Sequence, residues 1–145
     1  MPKRPLKLHF RIPPYERPRN EWRKKIHAAA RERQGNVKYA PSDQLEIEVG
    51  LYFTTGALTW HDVDNRLKDV LDALQGRAGG SKVVYALEAI VPNDRQIYRV
   101  VIEKREPPSQ SRGYGHVTVR RLAVSRLGAP YNSRLHPTAR TACGG

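Results

Sequence analysis

Cysteine occurs once in the 145 residues, as Cys143, and methionine only as Met1. A lone thiol closes no internal disulfide and completes no zinc cluster, which predicts a reducing compartment, the cytoplasm. No apolar run approaches the ~20 residues of a membrane span, and the basic N-terminus lacks the apolar centre of a signal peptide. No basic amphipathic helix carries bulky apolar residues on its other face, so neither a transmembrane nor a membrane-surface protein is expected. Carboxylates are scarce: Asp+Glu number 14 against 26 Lys+Arg, a formal net charge of +12. Such an excess favours a polyanionic partner, nucleic acid first. With 39% hydrophobic residues there is material for one modest core, and the length suits one domain.

The charge is unevenly spread. Residues 1–40 hold 12 basic and 3 acidic side chains, residues 41–106 hold 8 and 11, and residues 107–145 hold 6 and 0. Carboxylates gathered mid-chain would repel phosphate, so that segment is expected to need negative charge. Glu46, Glu48, Glu103 and Glu106 read as the solvent-facing positions of strands. The aspartates require another account.

Leu6, Leu8, Phe10 and Ile12 alternate with Lys7, His9 and Arg11, a first strand that Pro13-Pro14 ends. Asn20 is placed to cap a helix from Glu21 to about Arg33, with Trp22, Ile26, Ala29 and Ala30 as its apolar stripe. Leu45, Ile47, Val49, Leu51 and Phe53 alternate as a second strand. Val63, Leu67, Val70, Leu71 and Leu74 are spaced for a second amphipathic helix, closed by Gly76. A short helical turn is expected around Tyr85 to Ala89. Ile97 to Lys104 and Val117 to Leu122 read as third and fourth strands, joined as a long-looped hairpin. The expected class is α+β: a small mixed four-stranded β-sheet packed against two main helices, in the order β-α-β-α-β-β. From Ala123 onward Gly, Pro, Ser, Thr and Arg lack periodicity, which divides the chain into a domain over 1–122 and a basic, disordered tail over 123–145.

The chemistry-bearing stretch runs from His61 to Leu74. Asp62 and Asp64 lie where a loop enters a helix; they either satisfy the free N–H groups of the first turn or, as a pair at i and i+2, hold a cation. Asp64, Lys68 and Asp72 repeat every four residues along one strip beside the apolar stripe, as an ion-pair ladder or the edge of a groove. Arg66 and Asp69 fall on the outward side and read as surface charge. Asp94, in the turn Pro92-Asn93-Asp94-Arg95-Gln96, adds a third carboxylate, which alone would bond its own backbone. Three converging carboxylates are costly without a cation, and hard oxygen ligands suit Mg²⁺, with Mn²⁺ as the alternative. Beside a phosphodiester such a cation can acidify water and neutralise the leaving oxygen. Arg17, Arg19, Arg23, Lys24 and Lys25, in a loop running into a helix, are candidate DNA phosphate contacts; a generally basic surface is the other reading. Trp22 reads as core, and Tyr15 as a ring that could stack on an unpaired base.

Asp62-Val63-Asp64-Asn65 followed by Lys68, then Leu71-Asp72-Ala73-Leu74, then Asn93-Asp94-Arg95-Gln96-Ile97, resembles the RusA family of Holliday-junction resolvases over about residues 5–122; the Pro13-Pro14 pair also fits. The resemblance implies a symmetric homodimer that nicks two opposed strands of a four-way DNA junction with Mg²⁺, in recombination and repair, with no small-molecule cofactor. It implies that Asp62, Asp64 and Asp94 are catalytic metal-binding carboxylates and Lys68 the catalytic lysine. Asn65 would orient a carboxylate, and Asp72 would pair with Lys68. The chain departs from the family pattern at Asn93, where an acid is frequent, at His61, where a stronger base is frequent, at Tyr15-Glu16-Arg17, and in a longer segment before Asp94. Two alternatives stand: a noncatalytic nucleic-acid-binding protein whose aspartates cap a helix, and an inactive resolvase relative that still binds junctions. A nucleoid, phage or prophage setting is compatible with each.

Overall fold

Period-two alternation puts Leu8, Phe10 and Ile12 on the buried side of β1 (Lys7–Ile12), while Lys7, His9 and Arg11 stay exposed. The computed structural model describes residues 6–78 and 87–122. The order is β1, α1 (Arg19–Gln34), β2 (Leu45–Tyr52), a one-turn α2 (Thr55–Leu58), α3 (Val63–Leu74), a 3₁₀ turn (Asp94–Gln96), β3 (Ile97–Arg105) and β4 (Gly115–Arg121). The expected class and order of the main elements agree with this arrangement. The expected turn at Tyr85 begins outside the described residues, and Leu87 to Ala89 are irregular. The expected tail over 123–145 also lies outside them.

The four strands form one sheet in the order β1-β4-β2-β3. β4 lies antiparallel between β1 and β2, and β3 runs parallel to β2. A parallel neighbour requires a crossover, which the segment containing α3 supplies. The expected β3–β4 hairpin is therefore corrected. β2 separates the two strands, because the nine residues 106–114 are enough chain to step across its end. Both long helices lie on one side of the sheet: α1 packs on β1 and α3, and α3 packs also on β3. Trp22, Ile26 and Ala30 of α1 and Val70, Ala73 and Leu74 of α3 join Leu8, Phe10, Ile47, Val49, Val117 and Val119 in the core. Trp22, as expected, is core, and its ring N–H donates to the Pro13 carbonyl at 2.9 Å.

The helix ends depart from expectation at one point. Asn20 is the second residue of α1, not its cap; Pro18 holds the N-cap position and supplies no side-chain bond. Past α3, Gly76 adopts φ +82°, and a Cβ there would lie 2.1 Å from the Leu87 carbonyl oxygen, so this exit from the helix requires glycine.

Three polar positions read as surface charge are buried. Glu46 lies on the helix-free face of the sheet but is only 1% exposed, covered by Arg99 at 2.6 Å and by Arg120 at 4.0 Å. Asp69 is fully buried. Arg19 Nε and Arg23 Nε donate to its Oδ1 at 3.0 and 2.9 Å, and Arg66 Nε lies 3.2 Å from Oδ2. Arg66 itself is 7% exposed. A helical wheel drawn for α3 alone places Asp69 and Arg66 off the apolar stripe. The arginines of α1 arrive from outside that wheel and close over them. The Asp69 hydrogen bond also raises the Arg19 pKa, holding its guanidinium charged.

Removing the central carboxylate leaves Arg66 buried without its counter-charge. Asp69→Ala is expected to lower stability by about 3–5 kcal/mol, measured by urea unfolding; a loss below about 1 kcal/mol would show the cluster to be no more than a surface ion pair.

Candidate functional site

The start of α3 is fixed from three directions. Lys104, on β3, donates through Nζ to the carbonyl oxygens of Leu58 and His61, the second at 2.7 Å. The His61 ring stacks on Phe53 at 4.1 Å between centroids and 11° between planes, while Trp60 stacks against His61 at 5.4 Å and 12°. Tyr15 meets His61 edge-on at 4.8 Å. Arg66 then joins this aromatic group to Asp69: its guanidinium carbon lies 4.2 Å from the centre of the Tyr15 ring, and Nη1 lies 3.4 Å from His61 Nδ1. That contact requires Nδ1 to be an acceptor, hence a neutral ring. Burial, followed by the charges of Arg66, Lys104 and Arg17, lowers the His61 pKa in keeping with this.

Immediately after this anchored loop come the aspartates. Asp62 is the N-cap residue of α3 and exposed, yet its side chain makes no capping bond. It accepts instead from Asn65 Nδ2 at 3.4 Å. Asp64 and Lys68 are exposed one turn apart, and neither makes a hydrogen bond or ion pair among the described residues. Asp72 pairs with Arg23 at 3.3 Å, not with the expected Lys68. The four carboxylates of this segment thus divide: Asp69 and Asp72 are engaged by arginines of α1, while Asp62 and Asp64 face solvent together.

Asp94 is exposed and opens the 3₁₀ turn. Asn93 caps that turn, accepting from Arg95 N at 2.9 Å, and Gln96 ties it to the Ala40 and Asp43 carbonyls at 2.8 and 2.9 Å. The Asn-Asp-Arg-Gln signature therefore has a structural function at two of its positions. This turn precedes β3, whereas Lys104 near the far end of β3 holds the carbonyl before Asp62. Seven strand steps from Ile97 to Lys104 span about 23 Å. A single protomer does not bring Asp94 to Asp62 and Asp64, and among the described residues no three His, Cys, Asp or Glu side chains gather as a metal cage. Two exposed carboxylates still fit Mg²⁺, which keeps several waters and takes one or two carboxylates together with substrate phosphate.

The five candidate phosphate contacts also divide. Arg19 and Arg23 are committed to Asp69. Lys24 pairs with Glu21 at 3.1 Å and Lys25 with Glu16 at 2.6 Å, solvent-accessible pairs of the kind that exchange readily. Arg17 alone of the five makes no ion pair among the described residues; its guanidinium carbon lies 6.0 Å from the Trp60 ring centre. Tyr15 is half-buried between Trp22, His61 and Arg66. Sequence reasoning passed over Trp60, 65% exposed at the end of the ring column. Its signal was present in the adjacency Trp60-His61-Asp62. No protein-family model matches the chain, and no curated protein matches it.

The lowered His61 pKa fixes a sign. The unfolded chain takes up a proton near pH 6.5 that the folded ring resists, so stability present above that value is lost as pH falls through it towards the lower folded pKa. Urea unfolding at about pH 7.5 and 5.5 should show this loss, and His61→Gln should diminish it. A slope untouched by the substitution would assign the effect to His9, whose pKa burial also lowers.

Proposed function

We propose that the protein is a divalent-metal-dependent endonuclease for branched DNA, above all four-way junctions, acting as a symmetric homodimer like the RusA resolvases that its motifs resemble. One observation carries the reading: of the carboxylates around α3, Asp62 and Asp64 alone are left exposed together, without a capping bond, beside an uncommitted Lys68. A pair serving only to cap would spend a side-chain oxygen on the first-turn N–H groups, so this geometry favours the catalytic alternative over the noncatalytic one.

Held by Asp62 and Asp64, a divalent cation would supply neutralisation of phosphate charge and acidification of water. Asn65 orients Asp62 through its amide. Lys68, one turn along the helix, would hold the scissile phosphate and offset the charge that grows on it in the transition state. Arg17 and the exchangeable Lys24 and Lys25 would draw in the flanking backbone.

The separation of Asp94 favours a dimer. β3 is an edge strand carrying exposed Tyr98 and Val100, and Leu67 and Leu71 of α3 are only partly buried beside the core. A two-fold axis crossing β3 exchanges the ends of that strand. It would bring Asp94 of the second copy to the Asp62 end of the first, completing each site with a third carboxylate.

Nicking of a synthetic four-way junction should require Mg²⁺ and fall at least about 100-fold in Asp64→Asn and Lys68→Ala, with junction binding retained; linear duplex of equal length should stay intact. Native protein that binds the junction and never cuts it with Mg²⁺ or Mn²⁺ overturns the enzymatic reading in favour of a junction-binding protein.

Mixing inactive Asp64→Asn with inactive Asp94→Asn should restore cutting, because a mixed dimer holds one intact site. Failure to restore it, in mixtures shown to exchange subunits, would show that Asp94 of one protomer does not complete the site of its partner.

A further inference from the structure

Above the end of β2 the fold leaves a cavity of about 480 Å³, lined by Pro14, Tyr15, Tyr52, Phe53, His61 and Arg112 among others. It exists because of the topology. Residues 106–114 must step over β2 to reach β4, and their Pro107 to Gly113 segment roofs the space between the end of β2 and the Pro14-Tyr15 segment. The size lies in the range of small-molecule sites, about 300–1,000 Å³.

We propose that this cavity receives an unpaired nucleobase next to the scissile phosphate. The inference deepens the nuclease reading and rests on it. Four observations support a base as the occupant. Four of the twelve lining residues are aromatic, and of these Tyr52, tilted against His116 at 5.9 Å and stacked on no other lining residue, offers ring surface of the kind every base can stack on. No carboxylate lines the cavity, and its one charged lining group, Arg112, makes no ion pair among the described residues. His61 belongs to the wall and directly precedes Asp62 in the chain, so the cavity lies one residue from the exposed carboxylate pair, although neither aspartate lines it. Finally, Arg112 adopts φ +52°, a conformation that side chains other than glycine seldom take. Keeping an arginine where glycine is easier makes sense if its guanidinium meets the phosphate or edge of a bound nucleotide. A base seated there fixes which phosphodiester reaches Asp62 and Asp64, and favours junction centres and single-stranded flaps, where bases are free to turn out.

The test uses the full chain and a four-way junction carrying iodouracil at successive positions around the crossover, with a single-stranded oligonucleotide in parallel. Near-ultraviolet irradiation should cross-link the base to Tyr15, Tyr52 or Phe53, mapped by peptide mass spectrometry. Tyr52→Ala and Arg112→Gly should each weaken single-strand binding by about tenfold or more. Arg112→Gly should do so with its thermal midpoint unchanged or raised, since glycine suits that backbone. Adducts confined to residues outside the cavity, or both variants binding as the native chain does, overturn the proposal. Cross-linking in the cavity by a protein that never nicks leaves the base site standing and removes the nuclease reading. Asp64-dependent nicking whose position and affinity both variants leave unchanged removes the base site alone. A chain that binds neither DNA loses both.

Discussion

A single buried carboxylate organises the helical layer. Asp69 has no exposed surface, and its desolvation is tolerable only while Arg19, Arg23 and Arg66 surround it. Two of those arginines come from α1 and one from α3, so the cluster sets how the helices lie against each other. Arg66 extends the constraint. Its flat cation covers Tyr15, donates towards His61, and thereby ties the ion cluster to the ring column of Phe53, His61 and Trp60. The loop that delivers Asp62 is held by this column on one side and by Lys104 on the other. The exposure of Asp62 and Asp64 thus depends on interactions that the two aspartates do not make.

Hydrophobic period was enough to read most elements. The residues of α3 and the start of β2 fall where alternation and helical spacing put them, because each buries one face against the other layer. Spacing could not reveal that β4 inserts between β1 and β2, since strand order is a property of the sheet and not of any strand. Nor could it reveal the burial of Asp69, Arg66 and Glu46. Each is polar and lies off its element's apolar stripe; Asp69 and Glu46 are covered by arginines from other elements, and Arg66 lies against the rings of Tyr15 and Trp22. In a chain so rich in arginine, a carboxylate at a moderately shielded position recruits a lid, and the boundary between inner and outer faces shifts.

The candidate site was legible as residue types and only partly as geometry. Asp62, Asp64, Asn65 and Lys68 are consecutive enough that a helix start fixes their relation. Asp94 is distant in sequence, and its place follows from β3, which separates it from Lys104 and the loop before Asp62 by the length of that strand. Asn93 and Gln96 are explained by the 3₁₀ turn they close, which leaves Asp94 the exposed member of that signature.

Net charge is a poor guide to where phosphate would settle on this surface. Exposed charges interact by about 1 kcal/mol at 4 Å in water and are screened over about 8 Å at physiological salt. Exposed cations away from the start of α3 would therefore assist approach without setting position. At the start of α3 the local balance decides: Asp62 and Asp64 repel phosphate, while Arg17 beside Trp60, Lys68 along the helix and Arg112 at the cavity attract it. Arg19 and Arg23, the next cations after Arg17, have been withdrawn into the fold by Asp69. With so few cations left at that point, a phosphate is bound well only where the charge of the two aspartates is itself offset. On the proposed reading, nucleic-acid affinity at the site would depend on occupation of the carboxylate pair by a cation, and the surrounding positive surface would supply sequence-independent attraction.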